Sequence, residues 1–134
     1  MIQSFLLLVP LMLILTGCSF GDRDISTVEK SMIGHWKVFL NEADETSFGP
    51  IEYYINENSF TMIEQGTKSS AEFSILESNE NENWIVLNLG SEEQEMPRRL
   101  TFTNKSRTTL KQTHSIKKFQ FESEWIYVDN KTKP

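Results

Sequence analysis

The sequence predicts an all-β fold, a single antiparallel up-and-down β-barrel or strongly curved sheet of about eight strands. Three observations carry that reading. Stretches between Gly34 and Asn130 repeatedly alternate apolar and polar residues, the pattern of a strand with one buried face. Short polar loops separate these stretches, which favours pairing between sequence neighbours. Beyond one turn near residue 27, no segment of this region carries helical periodicity of any length.

The chain before that region has a different character. Residues 1–15 carry no ionisable side chain, and Phe5 to Leu15, "FLLLVPLMLIL", is an almost unbroken apolar run. A membrane span needs about 20 residues. This run is shorter, and it has the length of the apolar core of a signal peptide. It ends in Leu15-Thr16-Gly17-Cys18, which contains the only cysteine of the chain. That motif resembles the lipobox of bacterial lipoproteins. The resemblance implies cleavage before Cys18, a diacylglycerol on its thiol, and a membrane-anchored mature chain facing outside the cytoplasm. The membrane is the bacterial cell membrane or the outer membrane. Two acyl chains supply the hold, at about 0.8 kcal/mol per buried methylene. Ser19 follows the cysteine where an Asp would signal inner-membrane retention in that family.

The expected organisation follows. Residues 1–17 are signal peptide. Residues 18–33 are the lipidated cysteine, a tether and a short helical turn. Residues 34–130 are the barrel, and 131–134 a tail. Ser26-Thr27-Val28-Glu29 matches a capping box, which predicts a turn of helix from Thr27 to about Met32.

The strands are read in order. "HWKVFL" places Trp36, Val38 and Leu40 on one face, and "IEYYIN" places Ile51, Tyr53 and Ile55. "SFTMIEQ" pairs Phe60 with Met62, and "AEFSILE" aligns Ala71, Phe73 and Ile75. "NWIVLNLG" is apolar on both faces, Trp84 and Val86 opposing Ile85, Leu87 and Leu89. With the second set outward, that face needs a cover. "RLTFTN" gives Leu100 and Phe102. "TLKQTHSI" gives Leu110 and Ile116, with Gln112 and His114 between them, and "FQFESEWIYV" gives Phe119, Phe121, Trp125 and Tyr127.

Gly34-His35-Trp36, at the start of the first strand and after a helical turn, resembles the Gly-x-Trp of lipocalin-like barrels. The resemblance implies that Trp36 plugs the barrel base. It also implies an Arg on or near the last strand, packed over that Trp. "FQFESEWIYVDN" contains no basic residue.

Composition narrows the function. At 134 residues the chain supports one domain with a real core. Nine Phe, three Trp and three Tyr supply large side chains to bury, unlike a disordered chain. A net charge of −6 repels phosphate backbones and argues against nucleic acid. One cysteine makes neither an internal disulfide nor a cysteine-based zinc site. No metal or other cofactor is implied.

Candidate sites are few. His35 has outward parity relative to Trp36 and reads as a surface histidine. Glu92, Glu93 and Glu95 read as a solvated acidic turn. Arg98 and Arg99, adjacent in a strand, point to opposite faces and make a poor clamp for an anion. No phosphate loop or nucleophile elbow occurs, so the reading is non-catalytic. The inward set of large rings favours a filled core. A ligand, if one binds, would meet Gln112, His114, Trp36, Tyr53 and Trp125. Gln112 and His114 line a site at the barrel mouth, or else their strand sits at a solvated edge. Two functions remain: a protein-interaction module meeting a protein of the cell envelope, and a lipocalin-type binder of a small apolar molecule.

Overall fold

Among the described residues, nine strands form one sheet in which every neighbouring pair is antiparallel: β1 (Gly34–Val38), β2 (Ile51–Ile55), β3 (Ser59–Glu64), β4 (Thr67–Glu72), β5 (Ser74–Asn79), β6 (Trp84–Asn88), β7 (Pro97–Phe102), β8 (Thr109–Ile116) and β9 (Phe119–Asp129). The computed structural model describes residues 23–40 and 49–134. The expected signal peptide and Cys18 lie outside the described residues.

The order across the sheet is β4-β3-β2-β1-β9-β8-β7-β6-β5. Strands pair with their sequence neighbours, and the first and last strands pair with each other. One connection decides the architecture. β4 and β5 sit at opposite ends of this order, yet only Phe73 separates them in the chain. Because direction alternates from strand to strand, β4 and β5 run the same way. Joining two separate parallel strands takes a crossover of a dozen residues or more. β4, Phe73 and β5 are therefore one bent strand. Its first half pairs with β3 and its second half with β6. The sheet is rolled until its two ends share this strand. The sequence reading placed one unbroken strand at Ala71–Glu77; the structure puts the bend at Phe73, whose ring packs against the core. Counting the shared strand once leaves the eight the alternation predicts.

A short helix, α1 (Val28–Ser31), packs across one end. Its cap differs from the expected one by a residue. Thr27, not Ser26, is the N-cap, and its Oγ1 accepts from the Lys30 amide at 3.0 Å. Ser26 is instead held by Asp24 Oδ1, which accepts from both its amide and its hydroxyl. The Val28 amide, an orphan donor at a helix start, goes to the Glu80 carboxylate at 2.9 Å. Val28 and Met32 are thereby pressed into the barrel, where both are fully buried.

The core is a stack of rings and branched chains. Trp36, Tyr53, Phe60, Phe102 and Trp125 are all buried, with Tyr53 stacked on Trp125 at 4.2 Å between centroids. Trp36 donates its indole N–H to the Met32 carbonyl at 2.9 Å, which satisfies the one polar atom of that side chain. Burying each such side chain contributes roughly 1.5–3 kcal/mol relative to leaving it exposed.

β6 corrects the expected orientation of its two apolar faces. Ile85 and Leu87 point inward and are fully buried. Trp84 points outward, and its ring is covered by the Arg99 guanidinium at 4.1 Å. Where both faces of a strand are apolar, alternation alone does not choose between them. The pairing of Ile85 with Leu100 settles it. The exposed face that called for a protein partner is thus an inner face.

Candidate functional site

The two ends of the barrel differ in chemistry. The end beneath α1 is closed. The other end keeps polar groups on its concave face.

At the closed end the expected arginine is present, but it comes from the other terminus. Arg23 places its guanidinium 4.0 Å from the Tyr127 ring and 5.8 Å from the Trp36 ring. The same group donates to the carbonyls of Ser31, Ser106 and Arg107. Arg107 continues the lock. It donates to Asn83 Oδ1 at 2.8 Å and to the Ile25 carbonyl at 3.1 Å, and it faces Glu80 at 3.4 Å. One carboxylate, Glu80, therefore ties the start of α1 to the turn that carries Arg107.

On the concave face a polar chain climbs from the ring-filled floor toward the opposite end. The Trp125 indole N–H donates to Ser123 Oγ at 2.9 Å. Ser123 Oγ donates to Gln112 Oε1 at 3.3 Å, and Gln112 Nε2 donates to His114 Nδ1 at 2.7 Å. Because the amide nitrogen is a donor only, His114 Nδ1 must be the bare nitrogen. Burial, and then the positive charge of Arg98, lower the His114 pKa, so the ring is neutral at pH 7. From Leu110 to Thr113, which includes Gln112, β8 pairs with β7 on one side and β9 on the other; at His114 its described partner is β9. Gln112 is buried at 3% exposure with both ends of its amide satisfied, and His114 is half-buried and stacked on Phe121 at 5.2 Å.

Sequence reasoning set Arg98 aside as half of an unsuitable pair. The two arginines do diverge, Arg99 to the outside and Arg98 to the inside. Arg98 shares the inward parity of Leu100 and Phe102, and that parity was the available signal. Its guanidinium stands close enough to the Tyr53 hydroxyl to act on its pKa, and lies 5.9 Å from the Phe60 ring. Burial raises the Tyr53 pKa more than Arg98 lowers it, so the phenol stays protonated. Among the described residues Arg98 forms no ion pair with a carboxylate.

The ring residues expected to line a ligand therefore divide. Trp36, Tyr53 and Trp125 form the buried floor, while Gln112 and His114 stand above it with Arg98 and Ser123. Two shallow cavities each reach one member of this set, the first His114 and the second Ser123. One of about 200 Å³ is bounded by Val86, Pro97, Arg99 and His114. The other, of about 330 Å³, is bounded by Phe39, Lys111, Glu122 and Glu124.

His35 is a correction. Its parity is outward, as expected, but it is buried at 7% exposure rather than solvated. Tyr54 stacks on its ring at 4.1 Å, Glu52 Oε1 lies 2.8 Å from Nε2, and Asp129 Oδ1 lies 3.3 Å from Nδ1. Burial acts to raise the Asp129 pKa, but the Lys131 amide and His35 outweigh it and hold the carboxyl below its usual range. This cluster ties β1, β2 and β9 together on the outer face.

No family model and no curated protein matches the chain. Among solved structures, it is similar to the crystal structure of apo Caenorhabditis elegans lipid binding protein 8, with a TM-score of 0.47 and 11% sequence identity over 74% of this chain and 96% of that one.

Proposed function

We propose that this protein is a non-catalytic binder of a small amphiphile, held at the open end of the barrel with its apolar body against Phe60 and Phe121 and its polar end at Arg98. One observation carries the reading: a half-buried guanidinium on the concave face, with a hydroxyl for company and no carboxylate partner among the described residues. A cation held beside rings and short of a counter-ion favours an anionic group. Gln112 and His114 border it with polar atoms already fixed in place. The envelope-protein module, the first of the two functions read from the sequence, has lost its motive, since Ile85 and Leu87 face the core.

The test is titration of the full chain with an anionic aromatic fluorophore, anilinonaphthalene sulfonate, followed by competition with a saturated fatty acid. Arg98→Gln is expected to weaken probe binding about tenfold or more, since a hydrogen bond to a charged group is worth up to about 3 kcal/mol. Equal affinity in the wild type and Arg98→Gln would defeat the assignment.

The proposed address is a bacterial membrane surface outside the cytoplasm, reached through a diacylated Cys18. Its support is the lipobox resemblance of Leu15 to Cys18 and the apolar run before it.

A further inference from the structure

The hairpin that joins β8 to β9 projects past the rest of the sheet. On one side, β8 is last paired with β7 at Thr113, opposite Arg99. On the other, β9 meets β1 at Trp125, opposite Val38, with one more bond from the Phe39 amide to the Glu124 carbonyl. Among the described residues, the two strands from His114 to Ser123 pair only with each other. A two-stranded ribbon is marginal in water unless one face is covered.

The ribbon's two faces are sharply different. Cross-strand pairing places Ile116 opposite Phe119 and His114 opposite Phe121, so all four share a face. Phe119 is 69% exposed, Ile116 54% and Phe121 46%. The opposite face carries Ser115 paired with Gln120. At the tip stand Lys117 and Lys118, both exposed, and Lys117 is held at φ +57°, a conformation that non-glycine residues rarely adopt. Residues 114–121, "HSIKKFQF", contain no carboxylate, although the whole chain carries 19 acidic against 13 basic residues. Large apolar side chains beside a basic pair, on an otherwise acidic protein, match the two terms that hold an interfacial element on an anionic bilayer.

We propose that the β8–β9 hairpin tip docks on an anionic lipid surface, with Ile116 and Phe119 entering the acyl boundary and Lys117 and Lys118 at the headgroups. This contact is separate from any anchor at Cys18. Tyr127, where Arg23 packs, is eight residues along β9 from Phe119, which is roughly 26 Å of strand. Arg23, the first described residue, packs at one end of the barrel, and the tip lies at the other. The docking also stands independently of a ligand at Arg98.

The experiment is flotation of the full chain with vesicles of phosphatidylcholine alone and of phosphatidylcholine containing phosphatidylserine. Stronger partition is expected into the phosphatidylserine vesicles. Lys117→Gln with Lys118→Gln should weaken it about 25-fold, taking each lysine near an anionic surface as about fivefold. Phe119→Ser should also weaken it, and Phe119→Trp should show an emission shift to the blue with phosphatidylserine vesicles. Lys131→Gln with Lys133→Gln makes the same charge change elsewhere and should leave binding intact, as should Cys18→Ser for the part that depends on phosphatidylserine. Equal partition into both vesicle types, equal loss with the Lys131 and Lys133 pair, or no effect of the tip variants would overturn the proposal. So would a concentration-dependent dimer that the tip variants abolish while vesicle binding is unchanged, which would assign the tip to a second copy of the chain.

Discussion

The Arg23 guanidinium sits over the ring of Tyr127, its central carbon 4.0 Å from the ring centroid. The two residues come from opposite ends of the described chain, so this contact closes the barrel base. It adds a cation–π interaction to three hydrogen bonds onto backbone carbonyls. Arg23→Ala should therefore cost about 2 kcal/mol of stability, the sum of a cation–π term near 1 kcal/mol and a net hydrogen-bond term of similar size. Arg23→Lys should recover less than half, because an ammonium lacks the planar fork that reaches several carbonyls at once. Urea denaturation followed by far-ultraviolet circular dichroism measures both.

Gly34 makes a second close approach at the same end. Its φ is +135°, and a Cβ there would stand 2.9 Å from both the Asp129 carbonyl oxygen and Tyr127 Cε1. Gly34→Ala should destabilise the protein by about 2–3 kcal/mol, combining backbone strain with a clash against backbone that cannot retreat. Gly66 is the control. It also has a positive φ, but nothing lies within 4 Å of a Cβ built on it. Gly66→Ala should cost only about 1 kcal/mol, the left-handed penalty alone. If both cost the same, the close approach at Gly34 is not what requires glycine.

His114 makes a prediction about pH. Its pKa is lowered in the fold, by burial first and by Arg98 second. The unfolded chain therefore takes up a proton at higher pH than the folded one. The neutral ring's contribution to stability is full above the ordinary histidine pKa of about 6.5 and falls away as pH drops below it, down to the folded pKa. Proton NMR of the His114 ring should give a midpoint below 6.5, and Arg98→Gln should move that midpoint upward. A midpoint unchanged by Arg98→Gln would mean that the guanidinium does not face the ring.

Cys18 tests the proposed address. In a bacterial host, the mature protein should begin at residue 18 and carry the mass of a diacylglycerol, and it should partition into detergent. Cys18→Ser should leave the precursor uncleaved and unlipidated, as read by mass spectrometry of the N-terminus. Identical processing of the two forms would remove the anchor.

Much of the barrel was legible in the residues themselves, because a half-buried strand must alternate. Trp36, Tyr53, Leu100 and Trp125 point inward as their parity requires. What escaped were contacts between segments remote in sequence. The last strand holds no arginine, and only the folded chain shows that Arg23 takes that place from before α1. His35 has an outward parity, but three neighbouring side chains from β2 and β9 bury it. Nothing in "HWK" announces them.

By itself, the sequence determined strand positions, the aromatic floor and the inward parity of Gln112 and His114, because a period of two is a local property of a pleated backbone. The tertiary structure alone decided three things. It chose the face of β6 that Ile85 and Leu87 occupy, it bent the chain at Phe73 so that one strand serves both ends of the sheet, and it left Arg98 above the rings without a carboxylate among the described residues. Each depends on which strand lies alongside which, and that is settled by pairing and packing between residues far apart in the chain.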